Sequence, residues 1–448
     1  MNLSKGDIKS QIIKIALPAS IGMIFHTFYN ITDTFYAGLI SSEAIGSMAI
    51  TFPVFFILLA LAIGFSQGTT ALISNYIGSR DQRRACEIYV QAILYTIIFS
   101  IIMGGVIFYS CEWIFIFFGA EGSFLNNSVA YMTVIAIGAP FMLLSLVVNS
   151  ILNAIGDSKK NRNVMMFGFF LNIALNPILC FGFLFIPPLG IMGIAFSTVT
   201  VQLIATSYLF MHAVKTDIMQ NYSSHMLILK FNYFKKFISQ SIPSSISYLM
   251  IAFGFFVITK FVAGYGPSAA AAFGVALRIE ELIILPTIGL NVALVSIIGQ
   301  SYGAKEYKRI REVYITSLKI GFIMMFFGSI ILIFLGEFLS SLFTNDEEVI
   351  RYSKNYLYFA AIWSFLFPVV HMSGSVFLGI KKPLYTAFYA FIRLGVLPGI
   401  VIYLITKYFE FEVNGIWIGL LIINFTVSAI IFFHLKRILS RIENQIKT

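Results

Sequence analysis

The stretch GSRD at residues 78–81 returns in altered form as GAKE at residues 303–306. Each stretch follows a long apolar run and carries a basic residue directly before an acidic one. The same offset, from position 78 to position 303, aligns Pro18 with Pro243, Ser20 with Ser245, Gly64 with Gly289 and Tyr131 with Tyr356. One ungapped offset over more than a hundred residues indicates that the chain contains two copies of one unit.

The composition is typical of an integral membrane protein. Of the 448 residues, 58% are hydrophobic and only 11% are charged, and the mean hydropathy is +0.88. So few charged residues could not cover the surface of a soluble protein of this size. The three cysteines (Cys86, Cys111 and Cys180) are far apart and in no metal-ligand spacing, so we expect neither a disulfide nor a metal site.

The apolar runs predict twelve transmembrane helices and an all-α fold. A membrane-spanning helix needs about 20 apolar residues, and the chain offers roughly these runs: 12–38, 44–77, 87–109, 128–155, 163–186, 189–213, 237–263, 269–302, 313–335, 353–379, 384–407 and 413–435. Six helices per copy is an even number, so both copies enter the membrane in the same orientation. The repeat is then parallel, with a pseudo-two-fold axis along the membrane normal.

The repeat also predicts the domain organisation. We expect an N-terminal lobe at residues 1–214, a cytoplasmic inter-lobe loop at 215–233 and a C-terminal lobe at 234–448. Towards the end of each copy the offset slips slightly, so that Gly156 aligns with Gly379. Such an arrangement forms a cleft between two lobes, and rocking of the lobes can open the cleft to either side of the membrane.

The basic residues predict the orientation. Most of the 30 Lys and Arg lie in alternate loops and near both termini, whereas the opposite loops are richer in acidic residues such as Glu121, Glu347 and Glu348. Cytoplasmic loops carry the excess of Lys and Arg, so we expect both termini in the cytoplasm of a multi-pass protein of the inner or plasma membrane. The net charge of +10 is explained by this asymmetry, and we expect no nucleic-acid partner.

The first predicted helix contains a carboxylate. In YNITDTFYAG, residues 29–38, Asp33 follows Tyr29 by four positions, so the two side chains lie on one helix face together with His26 and Asn30. A carboxylate within a span is costly and by default indicates a functional site. Asp33 aligns with Ile258 in the second copy, so the acid belongs to the N-terminal lobe alone. The alternative is a buried structural aspartate that is neutral or hydrogen-bonded.

The chain resembles the multidrug and toxic compound extrusion (MATE) family over nearly its whole length. The resemblance rests on the parallel repeat and on four stretches in this order: LPASIGMIFHTFYNITDTFYAG (17–38), NAIGDSKK (153–160), GIAFST (193–198) and IGLNVALVSIIGQSYGAKE (288–306). It implies export of organic cations and other amphipathic compounds in exchange for H⁺ or Na⁺. In one branch of the family, it places the coupling site on an Asp of the first helix.

The resemblance implies a cation-coupling site residue by residue. Asp33 is similar to the coupling aspartate, Tyr29 to the Tyr one turn before it, Asn172 to an Asn of the fifth helix, and Thr198 to a hydroxyl of the sixth helix. Where that branch has a second Asp, this chain has Asn176, followed by Pro177. The amides of Asn172 and Asn176 could instead serve only helix packing.

A second group of polar residues lies in the predicted C-terminal lobe. Arg278 and Glu281 are three positions apart and could neutralise each other, whereas Glu280 points to another face of the same helix. Together with His371 they are candidates for a substrate-binding or gating site. The alternatives are a structural ion pair and a hydrogen-bonded core histidine.

These observations predict a polyspecific secondary exporter, with H⁺ favoured over Na⁺ because one carboxylate can accept a proton without other ligands. The alternatives are a dedicated exporter of a metabolite or lipid-linked compound and, in another class, an intramembrane enzyme. The five histidines are scattered, so we expect no enzyme activity. Nothing indicates a cofactor, and no G-x-x-x-x-G-K-[ST] phosphate loop is present. The expected partners are lipid, amphipathic drugs and the coupled cation, and we expect a monomer.

Overall fold

The computed structural model describes residues 2–409 and 411–444. Within this part of the chain twelve helices are long and apolar enough to cross a membrane, which confirms the predicted number. In chain order they are α1 Ile8–Ile40, α2 Ser42–Gly78, α3 Gln82–Phe117, α4 Gly122–Ala154, α5 Lys159–Phe181, α6 Ile191–Val214, α7 Phe231–Ala263, α8 Pro267–Gly303, α9 Tyr307–Ser341, α10 Glu347–Gly379, α11 Pro383–Tyr408 and α12 Asn414–Asn444.

Three of these helices are interrupted. A turn at Asn149 breaks α4, a 3₁₀ turn at Ser364–Leu366 divides α10, and a π-helical segment at Phe391–Val396 widens α11. π-helical segments inside α-helices occur frequently at functional sites. The connection between α6 and α7 carries two 3₁₀ turns, Asp217–Asn221 and Ser224–Leu227.

The chain forms two compact units whose bounds differ from the predicted lobes at two helices. The first unit is Ile21–Ser245, and the second consists of Asn2–Ser20 together with the chain from Ile246 onward. The first half of α1 therefore belongs to the second unit, and the first half of α7 to the first unit. The sequence repeat could not show this exchange, because it compares the two copies and says nothing about which helix half packs against which core.

The repeated stretches GSRD and GAKE end α2 and α8 in the same way. Arg80 and Lys305 have left-handed backbone conformations, with φ of 61° and 62°. The next backbone N–H closes each helix end: Asp81 N donates to Tyr76 O at 2.9 Å, and Glu306 N donates to Ser301 O at 2.8 Å. The two copies thus share backbone geometry at this turn as well as residue pattern.

The predicted change of offset near the end of each copy, which aligned Gly156 with Gly379, is wrong. Gly156 and Lys381 both have positive φ, 81° and 60°, at the ends of α4 and α10. The residue after each donates its N–H in the same pattern, Asp157 to Leu152 O at 2.8 Å and Lys382 to Phe377 O at 2.7 Å. The original offset therefore still holds here. Matching glycine to glycine misled the alignment because a lysine occupies the left-handed position in the second copy.

Close packing of α4 against α6 brings the sixth helix towards the core of the first unit. A Cβ on Gly138 of α4 would lie 2.2 Å from Val199 Cγ2, so only glycine allows this approach. Val199 directly follows Thr198, which is buried with 7% of its surface exposed. The glycine in α4 thereby helps to place the Thr198 hydroxyl inside the unit.

Candidate functional site

Asp33 is the centre of a buried polar cluster in the first unit. Its side chain is only 5% exposed. Asn172 Nδ2 and Asn176 Nδ2 donate hydrogen bonds to Asp33 Oδ1 at 2.8 and 2.9 Å, and Thr198 Oγ1 donates to Asp33 Oδ2 at 3.2 Å. Two helices, α5 and α6, therefore direct three neutral donors at one carboxylate on α1. Hydrogen bonds of this kind stabilise the charged form of an acid and offset part of its desolvation.

The two asparagines reach Asp33 from one face of α5. They are four residues apart, so their side chains lie above one another, and Asn176 Nδ2 also donates to Asn172 Oδ1 at 3.2 Å. The next residue, Pro177, has no N–H and leaves the carbonyl of Ile173 without its usual helical partner. Tyr36 of α1 donates its hydroxyl to this carbonyl at 3.3 Å, which joins α1 to α5 one turn beyond Asp33.

Two oxygen atoms of the cluster are buried without a partner. Among the described residues, no hydrogen-bond partner is found for Tyr29 Oη or Asn176 Oδ1. A buried polar atom without a partner costs about 1–3 kcal/mol. Both oxygens can accept, and a protonated Asp33 would gain an O–H that needs an acceptor. A bound cation would likewise need more oxygen atoms than Asp33 alone supplies.

All five predicted coupling residues therefore lie in one place. Three of them, Asn172, Asn176 and Thr198, are hydrogen-bonded to Asp33, and Tyr29 lies beside them. The sequence analysis missed Ser197, whose hydroxyl accepts from Asn172 Nδ2 at 3.3 Å. It also missed Tyr131 of α4, which is close enough to Asp33 to interact with it electrostatically. The alignment of Tyr131 with Tyr356 was a signal for this residue, because Tyr356 lies beside the buried acid of the second unit.

Glu280 is that second buried acid. Its side chain is 5% exposed, and it accepts hydrogen bonds from the Tyr356 hydroxyl at 2.5 Å and from Trp363 Nε1 at 2.8 Å. Phe273 and Trp417 pack their rings against Tyr356, with centroids 5.5 and 4.8 Å away. Both carboxylate oxygens thus accept a hydrogen bond, and aromatic rings surround the acid. This arrangement suits a structural acid and a binding site equally.

The other predicted members of this group do not join Glu280. Arg278 and Glu281 are exposed, and no salt bridge of 4.0 Å or less joins them in the described part of the chain. The Arg278 charge still acts electrostatically on the Glu281 carboxylate, so their mutual neutralisation stays a prediction. His371 is half-buried in α10, with its ring in edge contact with Phe367 at 6.0 Å between centroids.

The second unit also holds a guanidinium inside a span. Arg393 lies in the π-helical segment of α11 and donates from Nη1 to Asn424 Oδ1 of α12 at 3.2 Å. Within the described residues no carboxylate lies within 4.0 Å of it. An arginine at such a depth is a candidate counter-charge for a buried acid or for an anionic ligand.

The sequence profile of the MatE family matches the chain twice, at residues 18–178 and 243–404. The chain belongs to the MatE family. The two matches start at the positions that the repeat aligns, Pro18 and Pro243, and together cover well over half of the residues. This MatE protein is accordingly a multi-pass membrane protein with the two-lobe fold of its family.

Relatives of this MatE protein include transporters whose names give different cargo. It is 28% identical over 348 residues to the FAD transporter of Shewanella oneidensis, covering 77% of this chain and 76% of that one. It is 26% identical over 354 residues to the multidrug export protein MepA of Staphylococcus aureus, covering 78% and 76%. A solved transporter of the MOP superfamily from Pyrococcus furiosus, whose binding pocket is described as having reversed polarity, superimposes with a TM-score of 0.92 at 25% identity, covering 99% and 98%.

Proposed function

We propose that this chain is a polyspecific secondary exporter that exchanges organic cations or other amphipathic drugs for an inward-moving cation, H⁺ in preference to Na⁺. Membership of the MatE family and relatives named as multidrug exporters support the transport function. We propose that it acts without enzyme chemistry and without a cofactor, in the cell membrane with both termini in the cytoplasm, and as a monomer.

The observation that carries the proposal is Asp33 with its three neutral donors. In the geometry observed, the amide groups of Asn172 and Asn176 donate N–H hydrogen bonds to the carboxylate, which suits an ionised acid that can accept a proton. Na⁺ is a hard cation that needs several oxygen ligands, and both amides would have to turn their oxygens inwards to supply them. Proton binding needs only one acceptor for the new O–H, and a turn of the Asn176 amide alone would supply it through Oδ1, for which the described residues show no partner.

Coupling follows if protonation and drug binding favour different shapes of the protein. A ligand shifts a conformational equilibrium only by its differential affinity for the two states. Charged Asp33 favours the shape in which water or a drug cation reaches it, and neutral Asp33 favours closure around the polar cluster. We propose that rocking of the two lobes converts this difference into alternating access.

The experiment that tests the coupled ion is dye efflux from proteoliposomes with an imposed pH gradient and an imposed Na⁺ gradient applied separately. We expect the pH gradient to drive efflux of several unrelated cationic dyes, and the Na⁺ gradient at equal pH to drive little. Efflux driven only by Na⁺ would overturn the choice of ion. Failure of both gradients with all dyes would favour the dedicated-exporter alternative.

Asn176→Asp should move the pH optimum of transport upwards, by roughly one unit or more, because two adjacent carboxylates disfavour each other's ionisation and so hold a proton more tightly. The side chain of residue 176 already lies against Asp33, so the new acid needs no rearrangement to act. The measurement is the initial rate of dye efflux across a series of external pH values. Asn126→Asp, an exposed change of the same chemistry on α4, is the control. An unmoved optimum with normal protein levels would contradict proton binding at this pair.

The proposed orientation predicts which sites face outwards. Single cysteines in place of Ser41 and Glu347, both exposed, should react with a membrane-impermeant maleimide added to intact cells. A cysteine in place of Asp81, or of the more exposed Arg83 beside it, should react only after the cells are opened. The three native cysteines are buried and should give little background. The reverse labelling pattern would overturn the orientation.

A dedicated exporter of one anionic metabolite is the second candidate, and Arg393 is the observation that favours it. Arg393 interacts electrostatically with Glu280, yet no carboxylate among the described residues lies within 4.0 Å of it, so the guanidinium can contact an anionic cargo directly. One relative is named as an FAD transporter. Proteoliposomes should therefore also be assayed for flavin dinucleotide transport. Saturable flavin transport that cationic dyes do not inhibit would favour this candidate over polyspecific export.

A further inference from the structure

A small pocket adjoins the Asp33 cluster in the first unit. Its cavity volume is about 20 Å³, enough for one or two water molecules. Its lining comes from three helices: His26 and Tyr29 of α1, Val164, Met165 and Gly168 of α5, and Val201, Gln202 and Ala205 of α6. Only His26, Tyr29 and Gln202 bring polar side-chain atoms. A pocket with polar groups among apolar walls can hold ordered water where those groups can bind it.

His26 and Tyr29 are arranged side by side along α1. Their rings are nearly parallel, at 7°, with centroids 6.4 Å apart. Tyr29 is 7% exposed, and its hydroxyl is one of the two cluster oxygens for which the described residues show no hydrogen-bond partner, whereas His26 is half-buried. Asn30 Nδ2 donates to His26 O at 3.0 Å and also lies 3.4 Å from His26 Nδ1. Because an amide N–H can only donate, Nδ1 is the acceptor of this contact and the neutral ring carries its hydrogen on Nε2.

We infer that His26 is a proton-relay residue, and that the pocket between His26 and Tyr29 carries protons from Asp33 towards the N-terminal end of α1. This inference rests on the proposed H⁺ coupling at Asp33 and adds a route to it. Asp33 is seven residues from His26, so the two groups are about 10 Å apart along the helix axis. That distance is too long for direct transfer and is bridged by Tyr29 and by water in the pocket.

The transfer balances at each step. The carboxyl proton of Asp33 passes to a water molecule. That water passes a proton to the lone pair of the Tyr29 oxygen, while the Tyr29 hydroxyl gives its own proton to water in the pocket. His26 takes this proton on Nδ1 as an imidazolium and releases its Nε2 proton to water on the side away from Asp33, and exchange with water then returns the ring to its starting tautomer. Tyr29 and His26 end as they began, and Asp33 ends as a carboxylate.

Few other charges act on His26. On its own helix it shares a face with Tyr29 and Asp33, and Tyr131 of α4 is the further titratable group beside them. The charged residues of α5 are all in its first turn: Lys159, Lys160 and Arg162. The helix α6 has no Lys, Arg, Asp or Glu, and its histidine, His212, is ten residues beyond the pocket residue Gln202. Among the described residues that line this pocket, His26 and Tyr29 are therefore the two titratable groups, and His26 lies nearer the N-terminal end of α1.

The test is His26→Gln, with His212→Gln as the matched control. His212 is also a half-buried histidine within a span, and its ring bonds Tyr208 O at 2.9 Å, away from the pocket. We expect His26→Gln to lower pH-driven efflux on the order of tenfold, because a positioned acid–base group typically contributes at least that much to proton transfer. Dye-for-dye exchange at equal pH, which needs no net proton movement, should stay within twofold of the parent protein.

A second variant addresses the pocket itself. Ala205→Leu fills the space between His26 and Gln202 without removing a titratable group, and it should show the same loss of pH-driven efflux with retained exchange. It also serves if His26→Gln does not give a monodisperse protein.

The outcomes separate the route from the coupling site. Full pH-driven efflux in both variants, while Asp33→Asn is inactive, would overturn the relay and leave the proposed function standing. An equal loss of exchange and of pH-driven efflux in both variants would mean that the residues only support the fold. Full activity of Asp33→Asn would instead remove the proposed function on which the relay rests.

Discussion

Asp33→Asn is expected to abolish pH-driven dye efflux in proteoliposomes, to the background of empty liposomes, while the protein still folds. The amide is close in size to the acid and removes the cost of a buried charge. It cannot change protonation, so it holds the site permanently in a form like the neutral one. One of its two polar atoms would face the donors from Asn172 and Asn176, which the retained oxygen can still accept.

The control for this variant is Glu121→Gln, the same acid-to-amide change at an exposed position. It should transport as well as the parent protein. Asn172→Ala should give an intermediate loss, because it removes one donor to Asp33 and leaves the titrating group in place. Full gradient-driven efflux by Asp33→Asn would disprove the site assignment, and Glu280, the buried acid of the second unit, would become the next candidate.

Gly64→Val is expected to prevent normal folding of the first unit. A Cβ on Gly64 would lie 2.1 Å from Ser245 Oγ, 2.4 Å from Ser245 N and 2.6 Å from Ser245 Cα. Backbone atoms cannot step aside as a flexible side chain can, so α2 would have to separate from the first half of α7. Overpacking usually costs about 1–3 kcal/mol, and displacement of a whole helix half should exceed that range.

The measurement is the yield of monodisperse protein by size-exclusion chromatography, followed by the melting temperature of whatever folds. Gly105→Val is the matched control, because nothing lies within 4 Å of a Cβ at Gly105 on α3. Gly289→Val should behave like Gly64→Val, since a Cβ there would lie 2.2 Å from Ser20 Oγ and 2.5 Å from Ala16 O. Normal yield and melting of Gly64→Val would show that this contact can relax and is not essential to the unit.

The paired glycines also bear on the exchanged helix halves. Gly64 and Gly289 occupy equivalent positions in the two sequence copies, as do the serines they touch, Ser245 and Ser20. Each contact lies within one compact unit. In each, the serine is on a helix half that belongs to one sequence copy but packs in the unit formed mainly by the other copy. The repeat in the sequence thus contains the contact, although only coordinates show that these residues meet.

The sequence by itself determined the membrane class, the twelve spans and the repeat. These properties depend on local composition and periodicity: a run of about 20 apolar residues is a span wherever it packs. The importance of Asp33 was also visible, because a carboxylate in a span is unusual without any knowledge of its neighbours. By contrast, the assignment of Asn172, Asn176 and Thr198 to the same site came from resemblance to a family and not from spacing along the chain.

Tertiary structure alone decided which polar groups meet. Glu280 and Glu281 are adjacent in the sequence, yet one is buried against Tyr356 and Trp363 and the other is exposed. Helix rotation and the approach of distant helices set such contacts, and neither is written in the spacing of residues on one helix. The same holds for the pocket beside His26: its walls come from α1, α5 and α6, and its existence depends on how closely three separate spans pack.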